Sequence, residues 1–242
     1  MKQSGIFLLV FLFGISSMSF GQRSQNIRTS SSRVQVEELA DSSLVFLYGE
    51  MKPGVITYND GSTSEVLLNY SILLDRFEFQ SHRESGHLNF RGLSKLDVEG
   101  TSFIYHHQEG FLEVVEQGKY PLYLKRLIRV SSMPVRRGAY GGTDHTSAID
   151  IASNITTESS GDFDRQIFLD NPSGQEMDIT LRYNEYFVIG KGESLVKISN
   201  QRQLLRDFPE FRNELRNFVR NEKTNFTKPE DLIKLVEYLG TL

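Results

Sequence analysis

The sequence contains no cysteine. That excludes disulfides, thiol chemistry, cysteine-ligated metal and lipidation at a lipobox cysteine. After the first 22 residues no segment approaches 18 apolar residues, so no later membrane-spanning helix is expected. Charge of one sign is also scarce. The 27 Lys and Arg nearly balance the 31 Asp and Glu, for a formal net charge of −4. Such mild acidity argues against nucleic acid as the partner. Catalytic signatures are missing too: there is no G-x-S-x-G elbow and no H-E-x-x-H spacing. No catalytic residue, metal ligand or cofactor is expected.

What is present begins with the amino terminus. Lys2 gives a positive start, Ile6–Phe13 (IFLLVFLF) is uninterrupted and apolar, and Ser19-Phe20-Gly21 places small residues at −3 and −1 before Gln22. This pattern predicts a secretory signal peptide over 1–21. Its run is too short for a membrane span. Removing Lys2 with it leaves 26 basic against 31 acidic residues, a charge of −5. Export without cysteine points to a bacterial envelope rather than a disulfide-stapled secreted module. The expected location is the periplasm, the outer-membrane surface or the exterior.

Residues 22–43 read as a flexible lead-in, because Arg23–Arg33 (RSQNIRTSSSR) is polar and serine-rich. From 44 to 130 short alternating apolar runs are separated by glycine turns, which is the strand signal. Asn59-Asp60-Gly61 predicts a tight hairpin between strands near Gly54–Tyr58 and Ser64–Tyr70. Val66, Leu68 and Tyr70 then share a face. In the last strand of this region, Tyr120, Leu122 and Leu124 share one face, and Tyr123 and Lys125 the other. Residues 131–163 are rich in Gly, Ser and Thr and read as a long polar loop. Residues 164–198 read as two small hairpins, turning at Asn171–Gly174 and Gly190–Gly192.

Residues 199–242 predict helices. Ser199 is expected to cap the first, and Pro209 suits the first turn of the second. In that second helix Phe208, Phe211, Leu215, Phe218 and Val219 form one apolar face. Thr227 and Glu230 are expected to form a capping box for the third. The expected fold class is α+β: an antiparallel β meander, as a sandwich or partly closed barrel, followed by a small β element and a C-terminal three-helix segment.

Five stretches together carry a family resemblance. They are YNDGS, GFLEVVEQGKYPLYLK, the glycine-rich loop, EYFVIGKGESLVKI, and the tail QLLRDFPEFRNELRNFVRNEKTNFTKPEDLIKLVEYL. In these, and in the SFGQ cleavage site, the chain resembles a set of uncharacterised exported proteins of Bacteroidota. The resemblance spans most of the chain after the signal. It implies export and this architecture, and no particular activity.

Several constellations have a plainer reading beside the chemical one. Gly190-x-Gly192 lacks the third glycine of a dinucleotide fingerprint, where Leu195 stands, and a strand rather than a helix follows. It is expected to be a hairpin turn. His106 and His107 are neighbours on a strand, pointing to opposite faces, and so are poor partners for one metal ion. Asp144-His145-Thr146-Ser147 has the residue types of a hydrolase triad, but triad members converge from separate elements. Glu113 and Glu116 match the two acids of a glycosidase only as pairs in any acid-rich chain would.

Arg212, Arg216 and Arg220 form a basic stripe at i, i+4 spacing, where like charges repel. Glu210, Glu214 and Glu222 dilute it, and its plainer reading is a solvated face; the other is a surface for an acidic partner or anionic lipid headgroups. The expected partner-binding residues are Tyr140, Asp144 and His145 in the loop, since long loops on sheets often hold partner contacts, and Arg212, Arg216 and Arg220 on the helix. The expected function is a non-enzymatic binding or structural module of the cell envelope. Its partner would be an envelope protein or polymer. One alternative is a hydrolase of an envelope or extracellular polymer, using His106, His107, Asp144 or His145. The other is a lipid or small-ligand carrier whose barrel interior is lined by some of the 17 phenylalanines.

Overall fold

The computed structural model describes residues 23–135, 155–159 and 165–242. An antiparallel sheet of eleven strands dominates it. The meander comprises β3 (Lys52–Tyr58), β4 (Thr63–Ser71), β5 (Arg76–Gln80), β6 (Ser85–His87), β7 (Leu93–Val98), β8 (Thr101–His106), β9 (Gly110–Glu116) and β10 (Leu122–Pro134). β13 (Met177–Lys191) lies beside β10. Its far edge is shared by β1 (Ser24–Thr29) and β14 (Ser194–Ile198). Among the described residues β6 remains a free edge, so the sheet is not closed. β2 (Arg33–Gln35), β11 (Ile155–Ser159) and β12 (Arg165–Asp170) make a separate three-stranded sheet. Two single-turn helices, α1 (Val36–Leu39) and α2 (Ser42–Val45), lead from β2 into the meander.

Local chemistry explains the hairpins. At the β3–β4 turn Gly61 takes φ +82°. Tyr58 N–H donates to Ser62 O, and the Asp60 carboxylate accepts from Ser62 N–H and Oγ. This is a three-residue turn with glycine in the left-handed position. The alternation beyond it buries Leu68 and Tyr70 and leaves Leu67 on the other face, 39% exposed. Tyr70, Phe77, Phe103 and Phe111 meet in the interior with ring centroids 5.0–6.2 Å apart. Tilted and edge-on pairs of this kind add about 0.5–1.5 kcal/mol each beyond area burial.

The β10–β13 ribbon joins two cores. Its register runs unbroken from Leu122↔Ile189 to Pro134↔Met177, whereas β9 accompanies β10 only through Leu122–Leu124. The ribbon end carrying Ile128, Met177, Ile179 and Leu181 packs with the meander. The other end, with Leu122, Leu124, Phe187 and Ile189, packs with the C-terminal helices. Those are α3 (Gln201–Asp207), α4 (Arg212–Glu222), entered through a 3-10 turn at Pro209–Phe211, and α5 (Pro229–Thr241). Leu204, Leu215, Leu232, Leu235 and Leu239 are fully buried there. Among the described residues no helix is long and apolar enough to cross a membrane.

Several expectations are corrected. The lead-in is strand in part. β1 pairs with β13, its Asn26 accepting from Thr180 Oγ1 at 3.0 Å and its Arg28 bound to Asp178 at 2.7 Å. An edge strand needs one inward apolar residue, here Ile27, and tolerates polar neighbours. Of the expected 131–163 loop, β10 takes the residues through Pro134 and β11 occupies Ile155–Ser159; most of the rest lies outside the described residues. Residues 164–198 are not a separate small element. β12 pairs with β11 and β2, and β13 is a single strand, templated along its length by β10.

Two caps also differ. Asn200, not Ser199, caps α3: its Oδ1 accepts from Gln203 N–H at 2.9 Å. The Thr227–Glu230 box does not form. Lys228 occupies the cap position of α5, Pro229 sits in its first turn, and the Thr227 hydroxyl donates to Asn225.

Candidate functional site

Tyr140, Asp144 and His145 lie outside the described residues. Arg212, Arg216 and Arg220 are all on α4, with Arg216 and Arg220 exposed along its outer side. One helical turn separates each from the next, about 6 Å along the axis. The stripe borders a groove of about 770 Å³ between α4 and α3, to which Arg202 and Lys223 add further cations. Leu205 and Val219, each 8% exposed, line it from the core side. A second hollow of about 670 Å³ shares Arg202, Leu205 and Arg212 with the first, so the two form one trough along α3.

Local structure sets the charge of this trough. Glu214 and Glu222 fall two positions from the arginines, on the opposite side of α4. Glu210 is occupied by the Lys191 ammonium at 2.8 Å, and this hydrogen bond holds its carboxyl below the usual range. Asp207 is bound by Arg206 at 2.8 Å. Arg202, Arg212, Arg216, Arg220 and Lys223 therefore have no carboxylate partner among the described residues. Thr224, which also lines the trough, has a buried hydroxyl without a hydrogen-bond partner. α4 ends at Lys223, whose left-handed φ of +51° turns the chain there. Five unneutralised cations along one groove give it a positive local potential, which favours anions over cations.

A second polar centre is buried at the place where β10 parts from β9. Alternation puts Lys125 on the face opposite Leu122 and Leu124, where a charged residue is ordinarily solvated. The structure instead leaves it 5% exposed, its Nζ 2.7 Å from Asp75 Oδ2 and 3.2 Å from Phe111 O. Asp75 also accepts from Tyr70 OH at 2.5 Å and from Phe111 N–H. Burial, then the Asp75 charge, pushes the Tyr70 phenol well above its ordinary range. The next residue, Arg126, pairs with Glu113. Burial works against the Arg126 charge, but the Glu113 carboxylate outweighs it, so the guanidinium is held more firmly protonated. Each charge here has its partner within the fold, which is the arrangement of a structural centre. Glu113 is thereby unavailable to Glu116, whose carboxylate accepts instead from Gln117 N–H.

The sheet also carries a groove of about 620 Å³ on its outer face, over β7, β3, β4 and β5. Pro53, Val55 and Leu67 line it together with Glu65 and Glu99. Nothing in the alternation of single strands revealed it. His106 and His107 do not point apart as expected. His107 begins the β8–β9 turn, and the two rings lie 4.5 Å apart. No group of three metal-ligating side chains occurs among the described residues. Gly190–Gly192 belongs to the β13–β14 hairpin, Gly192 taking φ +62°. The chain matches no protein-family model, no curated protein and no solved structure, so the chemistry of its site is read from its own residues.

Proposed function

We propose that this protein is a non-enzymatic binding module exported to the bacterial cell envelope, and that its helical trough holds an anionic partner. The observation that carries the reading is the set of five cations, Arg202, Arg212, Arg216, Arg220 and Lys223, on one groove without a facing carboxylate. Like charges at i, i+4 destabilise an isolated helix by a few tenths of a kcal/mol per pair. An anion in the groove reverses the sign of that contribution. The filled interior of the meander favours this reading over a carrier with an internal cavity. The amino-terminal signal pattern supports export.

Two measurements test the proposal. Amino-terminal sequencing of the protein from a fractionated native host should begin at Gln22 and find it in the envelope or medium. Titration with polyaspartate, a generic soluble polyanion, should show saturable binding that the R212Q/R216Q/R220Q variant loses. A cytoplasmic chain beginning at Met1 would overturn export, and polyaspartate binding untouched by the triple substitution would overturn the site.

A further inference from the structure

Resting on the anion-binding reading, we infer that the ligand of the trough is a linear acidic polysaccharide, a chain of hydroxyl-rich sugar units carrying repeated carboxylates. The cations are arrayed in a line. Arg212, Arg216 and Arg220 repeat about every 6 Å along α4, close to the length of one pyranose unit. Lys223 extends the row, and Arg202 faces it from α3. A single small anion would meet only one or two of these groups. A chain with one carboxylate per unit meets them in succession.

The shape and surroundings select among polyanions. The site is a concave trough bordered by two helices, which suits a chain rather than a flat bilayer. Among the described residues Leu39 and Leu67 are the exposed large hydrophobics, and neither lies on α3 or α4. The helical face therefore lacks the apolar anchors of an interfacial membrane helix. No aromatic ring lines either part of the trough, so there is no platform for stacking nucleobases. Arginines supply most of the charge, and their planar forks match carboxylates through paired N–H donors. Gln201 and Gln203 add neutral amides along the same trough, suited to sugar hydroxyls.

The test uses the purified protein with end-labelled oligogalacturonates from monomer to octamer, read by fluorescence anisotropy. Inorganic phosphate, phosphatidylglycerol vesicles, oligothymidylate and polyaspartate are the comparison ligands. Affinity should climb with chain length until all five cations are engaged and then level off. It should weaken with added salt. At roughly fivefold per charge-assisted arginine contact, R212Q/R216Q/R220Q should weaken octamer binding by about 100-fold. Glu214→Gln, on the opposite side of the same helix, should leave it unchanged, and an unaltered circular dichroism melt confirms that the triple variant folds. Length-independent affinity would overturn the inference, as would phosphate, vesicles or oligothymidylate binding more tightly than the octamer. Polyaspartate binding without any oligogalacturonate binding would overturn the polysaccharide while leaving the anion site standing. Failure of every anionic ligand to bind would overturn both.

Discussion

Replacing Asp75 with asparagine should destabilise the fold by about 3 kcal/mol, and most of that loss should vanish when Lys125 is replaced at the same time. The carboxylate is the hub of the buried centre. It accepts from Lys125 Nζ at 2.7 Å, Tyr70 OH at 2.5 Å and Phe111 N–H at 3.3 Å. The Lys125 side chain is 7% exposed and that of Asp75 21%. Removing one member of such a pair leaves a buried charge uncompensated, which costs roughly 3–5 kcal/mol, and the partial exposure of Asp75 places this case at the lower end. Lys125→Met alone should cost about 2 kcal/mol, since the carboxylate keeps two donors and some solvent. The double variant loses the charge as well as its partner. It should cost no more than about 2–3 kcal/mol in place of the sum of about 5, giving a coupling of about 2 kcal/mol in a double-mutant cycle. Relative to Lys125→Met, the further Asp75→Asn change then adds less than about 1 kcal/mol. Urea unfolding followed by circular dichroism measures all four proteins, the chain having no tryptophan to report by fluorescence. Additivity within about 0.5 kcal/mol would refute the reasoning.

Three further outcomes are expected. Gly110 takes φ +72°, and a Cβ there would run into the Asp75 carboxylate, so Gly110→Ala should cost roughly 2–4 kcal/mol from backbone strain plus disturbance of the ion pair; a loss within about 0.5 kcal/mol in the same assay would contradict the close approach. Asn200→Ala should cost about 1 kcal/mol and Ser199→Ala much less, because only Asn200 receives the Gln203 N–H; equal losses would reassign the cap. Tyr70 is held protonated by the fold, so its contribution is fully present below the ordinary tyrosine pKa of about 10 and is lost above it, at about 1.4 kcal/mol per pH unit. Alkaline titration by ultraviolet absorbance should show a phenol that ionises well above the ordinary tyrosine range and is missing in Tyr70→Phe; its ionisation near pH 10 in the folded protein would contradict this.

Sequence periodicity located most strands of the meander, the Asp60-Gly61 turn, the β13–β14 hairpin and the apolar stripes of the tail. Each depends on neighbours within a few residues, where backbone sterics and the periods of two and 3.6 act directly. The arginine stripe was legible for the same reason, since i, i+4 spacing on a helix is a local fact. Cap identity was less legible. Ser199 and Asn200 are both good N-caps, and Thr227 lost its role to Pro229, whose fixed φ starts α5 one residue later.

What tertiary structure alone decided concerns pairings distant in the chain. Lys125 follows the pattern of an exposed residue, yet Asp75 comes from fifty positions earlier to neutralise it where β10 leaves β9. The polar strand β1 is ordered by β13, more than 140 residues away, through Asn26–Thr180 and Arg28–Asp178. β13 is continuous because β10 supplies its hydrogen bonds throughout. The stripe borders a groove only because α3 packs beside α4, bringing Arg202 across from the arginines over Leu205 and Val219. By itself the sequence determined which residues are apolar, charged or turn-forming, and on which side of its own element each one lies. Only the tertiary structure decided which charges are neutralised and which remain free, because that depends on the position of partners that no local period encodes.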